Sequence, residues 1–95
     1  MASFPATKHR TVVEERTTHS PLYKVLLHND DVNDMEHVMR ALMRVFRFEK
    51  QVCERIMIEA HNTGVALCTV ESFERAELHR EQLQAHSLVA TIEPE

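Results

Sequence analysis

The sequence predicts a small two-layer α+β sandwich of order β-α-α-β-α-β, with a three-stranded antiparallel sheet packed against three helices. Three observations carry this. The chain has 95 residues, one domain's worth, with no room for two sizeable cores. Short apolar, β-prone runs occur near its beginning, middle and end. Between them lie three stretches whose apolar residues recur at helical spacing.

Residues 1–20 stand apart from this pattern. They are rich in Thr and charge, with too few apolar residues to repay the entropy of ordering. We read a flexible N-terminal arm at 1–20 and a single domain at 21–95. The first strand is 23–27, YKVLL, stopped by the polar turn His28-Asn29-Asp30-Asp31. Asn33 or Asp34 then caps a helix by accepting from a backbone amide left without a partner. Apolar residues at 35, 38, 39, 42, 45 and 46 give that helix one buried face. A second helix fits 49–62, with Val52, Cys53, Ile56, Met57 and Ala60 as its stripe and Gly64 as its left-handed stop. The run GVALCTVE reads as a strand apolar on both faces, which predicts a central position in the sheet. Ser72 caps a third helix that runs to about His86, with Phe73, Ala76 and Leu83 inward. Residues 88–92 form the closing strand, ended by Pro94.

Composition excludes several functions. The single glycine, Gly64, rules out a Gly-rich phosphate loop, which needs several residues without Cβ to bring backbone amides to an anion. The net charge is −4 and the basic residues are scattered, which argues against nucleic acid. No apolar run spans a bilayer. Cys53 and Cys68 form no CxxC pair and no disulfide framework, so a reducing compartment is expected, the cytoplasm or a plastid stroma after processing of a precursor.

All three aspartates of the chain fall within residues 30–34. A calcium loop fails there for want of Gly at its sixth position and Glu at its twelfth. A turn plus a helix cap explains Asn33 and Asp34, but leaves Asn29, Asp30 and Asp31 in excess. His28, His61 and Cys68 have no metal-ligand spacing, and no metal or other cofactor is expected. The serines are in the arm, at a cap and in a turn, and a Cys within an apolar strand is an inert thiol, so catalysis is not expected. Met35, Met39 and Met43 recur every four residues, with Met57 on the next helix. Such a stripe is core filler in the plain reading, and an adaptable binding surface in the sharper one.

From Asn29-Asp30-Asp31 onward, followed by Met35-Glu36, the sequence resembles the ClpS family, adaptors that deliver N-degron substrates to AAA+ Clp proteases. The resemblance covers 21–95 through PLYKVLLHNDD, ALMRVF, AHNTGVALCTV, ERAEL and ATIEPE, and the wording HNDxVNxME and EAHNTGVAL resembles a branch serving ClpC-type ATPases. It implies that Asn29, Asp30 and His61 bind the free α-amino group of a substrate's first residue, with Asp31 acting nearby through water. It implies an apolar pocket of Met35, Val38, Met57, Ala60 and Leu88 for that residue's side chain, with Met35 at the mouth excluding β-branched guests. An ammonium has three donors and no acceptor, so this set of acceptors suits it. The implied function is an adaptor, itself no enzyme, that binds bulky hydrophobic N-terminal residues (Leu, Phe, Tyr, Trp) and hands them to a ClpA- or ClpC-type ATPase as a monomer. Glu74 and His79 match the ATPase-docking surface, and the arm matches the family's N-terminal extension. Three departures stand out: Val32-Asn33-Asp34 replaces aromatic-Thr-Pro, Ala60 replaces a common Val, and His79 replaces a common Lys. The first favours a rival, a regulator of the ATPase that does not read N-degrons. A second rival is a metal-dependent enzyme using Asp30, His61 and Cys68.

Overall fold

The computed structural model describes residues 20–95. The predicted arm therefore lies outside the described residues, apart from Ser20. The elements follow the predicted order: β1 (Leu22–His28), α1 (Met35–Phe46), α2 (Lys50–Thr63), β2 (Val65–Ser72), α3 (Phe73–Ala85) and β3 (Ala90–Pro94).

The sheet order is β2-β1-β3, all antiparallel. β1 pairs with β2 from Leu22↔Ser72 to His28↔Val65, with a bulge between Val25 and Leu26, and with β3 from Tyr23↔Pro94 to Leu27↔Ala90. The central strand is thus β1, and the expectation that 65–72 lies centrally is overturned. The reason is that only one face of the sheet is covered. Ala66 and Cys68 of β2 point into the core, whereas Val65 and Leu67 are 37% and 45% exposed. Apolar residues on both faces of a strand therefore did not mean burial on both.

The core joins Val25 and Leu27 of β1, Ala41 and Leu42 of α1, Cys53, Ile56 and Ala60 of α2, and Ala76 and Leu83 of α3. Phe73, expected inward, is exposed and instead meets the edge of Tyr23 at 5.0 Å between ring centroids. As the first residue of α3, it precedes the face that Ala76 and Leu83 bury.

The caps explain the boundaries. Asp34, not Asn33, caps α1, its Oδ1 accepting from the His37 amide at 2.8 Å. Arg47 closes α1 in the left-handed region at φ 61°, a conformation rare for a residue with Cβ. α2 runs one residue later than expected at each end, with Glu49 as a cap that makes no side-chain bond. Ser72 caps α3 as predicted. β3 begins only at Ala90, because Ser87 turns the chain at φ 69°, also left-handed.

Candidate functional site

The site begins where β1 ends. The His28 amide donates to the Val89 carbonyl at 2.9 Å, and the Asn29 amide to the Gly64 carbonyl at 3.0 Å. The chain leaving the sheet is therefore pinned between the approach to β3 and the stop of α2. Gly64 makes that stop at φ 93°, where a side chain is strained. His61 lies in the last turn of α2, three residues earlier, so the same stop brings it beside Asn29.

Asp30 organises the loop that follows. Its Oδ1 accepts from the amides of Val32 and Asn33, each at 2.9 Å, an Asx-type turn. The Asn33 side-chain amide lies 3.3 Å from both of its oxygens. The Asn33 amide above all, with the Val32 amide, the Asn33 side chain and His37 nearby, lowers the pKa of Asp30 against the opposing effect of burial. Asp30 is thus held as a carboxylate, and Oδ2, bonded only to Asn33, keeps lone pairs for a further donor.

The loop ends at the Asp34 cap, which starts α1 with Met35. Met35 is 53% exposed, and Val38, three residues on, shares its face. Met57, Ala60 and His61 of α2 lie at i, i+3 and i+4 on one helix face. Leu88, buried, follows the Ser87 turn. These residues converge on one cleft of about 330 Å³. Asn29, Asp30, Asp31 and His61 line it together with Met35, Val38, Met57, Ala60 and Leu88. All nine residues singled out for an amine site and its pocket are thus brought together.

Leu27, His28, Asn33 and Asp34 also line the cleft and were not singled out. A signal for Asn33 existed: an Asn three residues after an Asp, in a loop with two candidate caps, can serve as a brace rather than a cap. Glu74 and His79 lie elsewhere, on α3. Glu74 is exposed. His79 is half-buried, its Nδ1 2.5 Å from Glu71 Oε2 and its ring 4.8 Å from that of Phe46.

Cys68 does not line the cleft, so the set Asp30, His61 and Cys68 is not assembled. Burial pushes the Cys68 thiol up to about 12, and that of Cys53 upward as well. Among the described residues no three His, Cys, Asp or Glu side chains group as metal ligands. No helix among them is long and apolar enough to cross a membrane.

A small α+β domain whose cleft has a polar rim, an anionic carboxylate and an apolar floor is a binding module. The comparisons specify which kind. A match to the family described as "ATP-dependent Clp protease adaptor protein ClpS" spans residues 18–91. The chain is 51% identical over 77 residues to the ClpS adapter protein of Synechococcus sp. strain CC9902, covering 80% of this chain and 74% of that one. It is 46% identical to that of Gloeobacter violaceus, covering 79% and 82%. It is 41% identical to the chloroplastic CLPS1 of Chlamydomonas reinhardtii, covering 86% of this chain and 51% of that one. Among solved structures, Agrobacterium tumefaciens ClpS2 bound to L-phenylalaninamide superposes with a TM-score of 0.76 at 35% identity, covering 81% of this chain and 100% of the other. The chain belongs to the ClpS family of Clp protease adaptors, which are binding proteins and not enzymes.

Proposed function

We propose that this adaptor recognises the free α-amino group and the bulky hydrophobic side chain of a substrate's first residue, Leu, Phe, Tyr or Trp, and delivers that substrate to a Clp AAA+ ATPase. One observation carries the reading. A single cleft joins a carboxylate held ionised, Asp30, to an apolar floor of Val38, Met57, Ala60 and Leu88. The rim residues Asn29, Asp30 and His61 supply an amide oxygen, a carboxylate and an imidazole nitrogen, three acceptors for the three donors of an ammonium. Asp31, exposed beside them, reaches the amine through water. Met35 at the mouth narrows entry for β-branched residues. The related Agrobacterium structure holds L-phenylalaninamide, a molecule with a free α-amine and a benzyl side chain.

The magnitudes are consistent. Burying one large apolar side chain contributes about 1.5–3 kcal/mol, and each charge-assisted hydrogen bond about 1.5–3 kcal/mol. After the cost of association, a micromolar complex near about −8 kcal/mol follows. We assign Glu74 and His79 of α3 to docking on the ATPase, of the ClpC type by the wording of the Asn29 and His61 segments. The domain acts as a monomer in the cytoplasm or a plastid stroma.

The test is substitution with two readouts. Asp30→Ala or His61→Ala raises the Kd for a Phe-initiated peptide at least about tenfold, about 1.4 kcal/mol. Capture of the ATPase by the same variants stays intact. Unchanged peptide binding contradicts the reading. The second reading, a regulator that docks without reading N-degrons, draws on Val32, which is 90% exposed where the family commonly has an aromatic. Wild-type protein that captures the ATPase and no N-degron peptide would select it.

A further inference from the structure

Asn33 joins two walls of the cleft. Its side-chain amide has two N–H groups. One donates to the Ser87 carbonyl at 2.7 Å, and the group also lies 3.3 Å from each Asp30 oxygen. Leu88, which lines the cleft, directly follows Ser87. A second link runs alongside: His37 Nε2, on α1, lies 2.6 Å from the His86 carbonyl. A carbonyl only accepts, so Nε2 carries the proton, and both the neutral Nε2–H ring and the imidazolium make this bond. Successive carbonyls are thus held, that of His86 by His37 of α1 outside the cleft and that of Ser87 by Asn33 of its lining. The turn they hold is one that needs holding, since Ser87 is in the left-handed region at φ 69° without being glycine.

We propose that Asn33, supported by His37, is a positioning residue for peptide recognition. It ties the Asp30 carboxylate to the Leu88 wall, so that the cleft keeps a fixed width and discriminates among first residues by rigidity as well as by the Met35 mouth. The proposal rests on the amine-binding reading above. A wall held before binding has no ordering cost to meet when the right guest enters, and it cannot yield to a guest of the wrong shape. The aromatic-Thr-Pro departure at 32–34 thus places in this chain a side chain able to donate to both walls, where a hydroxyl has one donor.

The experiment uses the full chain and measures peptides beginning with Phe, Ile and N-acetyl-Phe by fluorescence anisotropy, with amide hydrogen exchange on the free protein. Asn33→Ala keeps the two backbone amides that fix Asp30 and removes the side chain that bonds both Asp30 and the Ser87 carbonyl. It is expected to raise the Phe-peptide Kd about three- to tenfold and to lower the Phe-over-Ile preference about threefold or more. Exchange at Ser87 and Leu88 quickens at the same time. His37→Leu reproduces the loss of preference in weaker form and His37→Gln, which keeps a donor, restores it. This pair tests the proposal even if Asn33→Ala folds poorly. A merely structural role lowers binding of every peptide alike, so an unchanged Phe-to-Ile ratio with unchanged exchange overturns the proposal and leaves the amine reading standing. Failure of the wild-type protein to bind the Phe peptide overturns the amine reading, and the proposal with it.

Discussion

Asp30 accepts two backbone amides on one oxygen and only the Asn33 side chain on the other, and this division is the basis of the role proposed for it. The first oxygen shapes the loop and the second is available to a ligand. Because the fold lowers its pKa, the carboxylate stabilises the folded state fully above the usual carboxylate range, and this contribution is lost as pH falls through the lowered value. Asp30→Ala is therefore expected to unfold with less acid dependence than wild type, besides losing the peptide, as a pH series of denaturant melts would show. Cys68 has the opposite sign. Burial favours the neutral thiol, so its contribution is complete below the free-thiol value of about 8.5 and is lost as pH rises toward about 12. Native protein at neutral pH is expected to resist iodoacetamide at Cys68 and Cys53 until it is unfolded. Rapid native labelling, read by mass, would contradict the burial of both thiols. At this scale the sequence was partly legible. The aspartate excess at 30–34 pointed to a task beyond capping, because one cap needs one acceptor. The partners of Asn33 were not legible, because Ser87 lies 54 positions away and only tertiary packing brings its carbonyl there.

The element that most constrains the cleft is the stop of α2. Gly64 ends the helix that carries Met57, Ala60 and His61, and its carbonyl anchors Asn29. A Cβ at Gly64 would meet nothing within 4 Å, so the cost of a side chain there is backbone strain alone. Gly64→Ala is expected to destabilise the domain by about 1–2 kcal/mol by denaturant unfolding, and Gly64→Asn by less, since Asn tolerates the left-handed region. Equal stability of Gly64→Ala and wild type would contradict the strain argument. Helix positions were legible because their apolar spacing and caps agree, and Asp34, Ser72 and Gly64 all stand at real boundaries. The rank of the strands was not. β2 has apolar residues on both faces, yet helices cover only one, and no local pattern distinguishes a covered face from an open one. Likewise Arg47 and Ser87 adopt left-handed turns that their residue types do not announce.

For the whole molecule, the order of elements places the site. β1 is central, so its end is flanked on one side by β2 and α2 and on the other by β3 and Leu88. The loop from Asn29 to Asp34 emerges there, and α1 starts from the same loop and supplies Met35 and Val38. The end of one strand and the single crossover from β2 past β1 to β3 thus bring residues from 29 to 88 around one cleft. A domain of this size is stabilised by about 4–11 kcal/mol in total, so binding residues near its rim are read safely only beside a measure of folding.

The most direct measurement is fluorescence anisotropy of the wild-type chain with peptides that differ only at residue one. Peptides beginning with free Phe, Leu or Trp are expected to bind in the micromolar range, with Ile much weaker and N-acetyl-Phe not measurably bound, because acetylation removes the charge that Asp30 is held ionised to meet. Equal affinity for Phe and N-acetyl-Phe would contradict the amine site, and no binding to any free bulky residue would contradict N-degron recognition altogether.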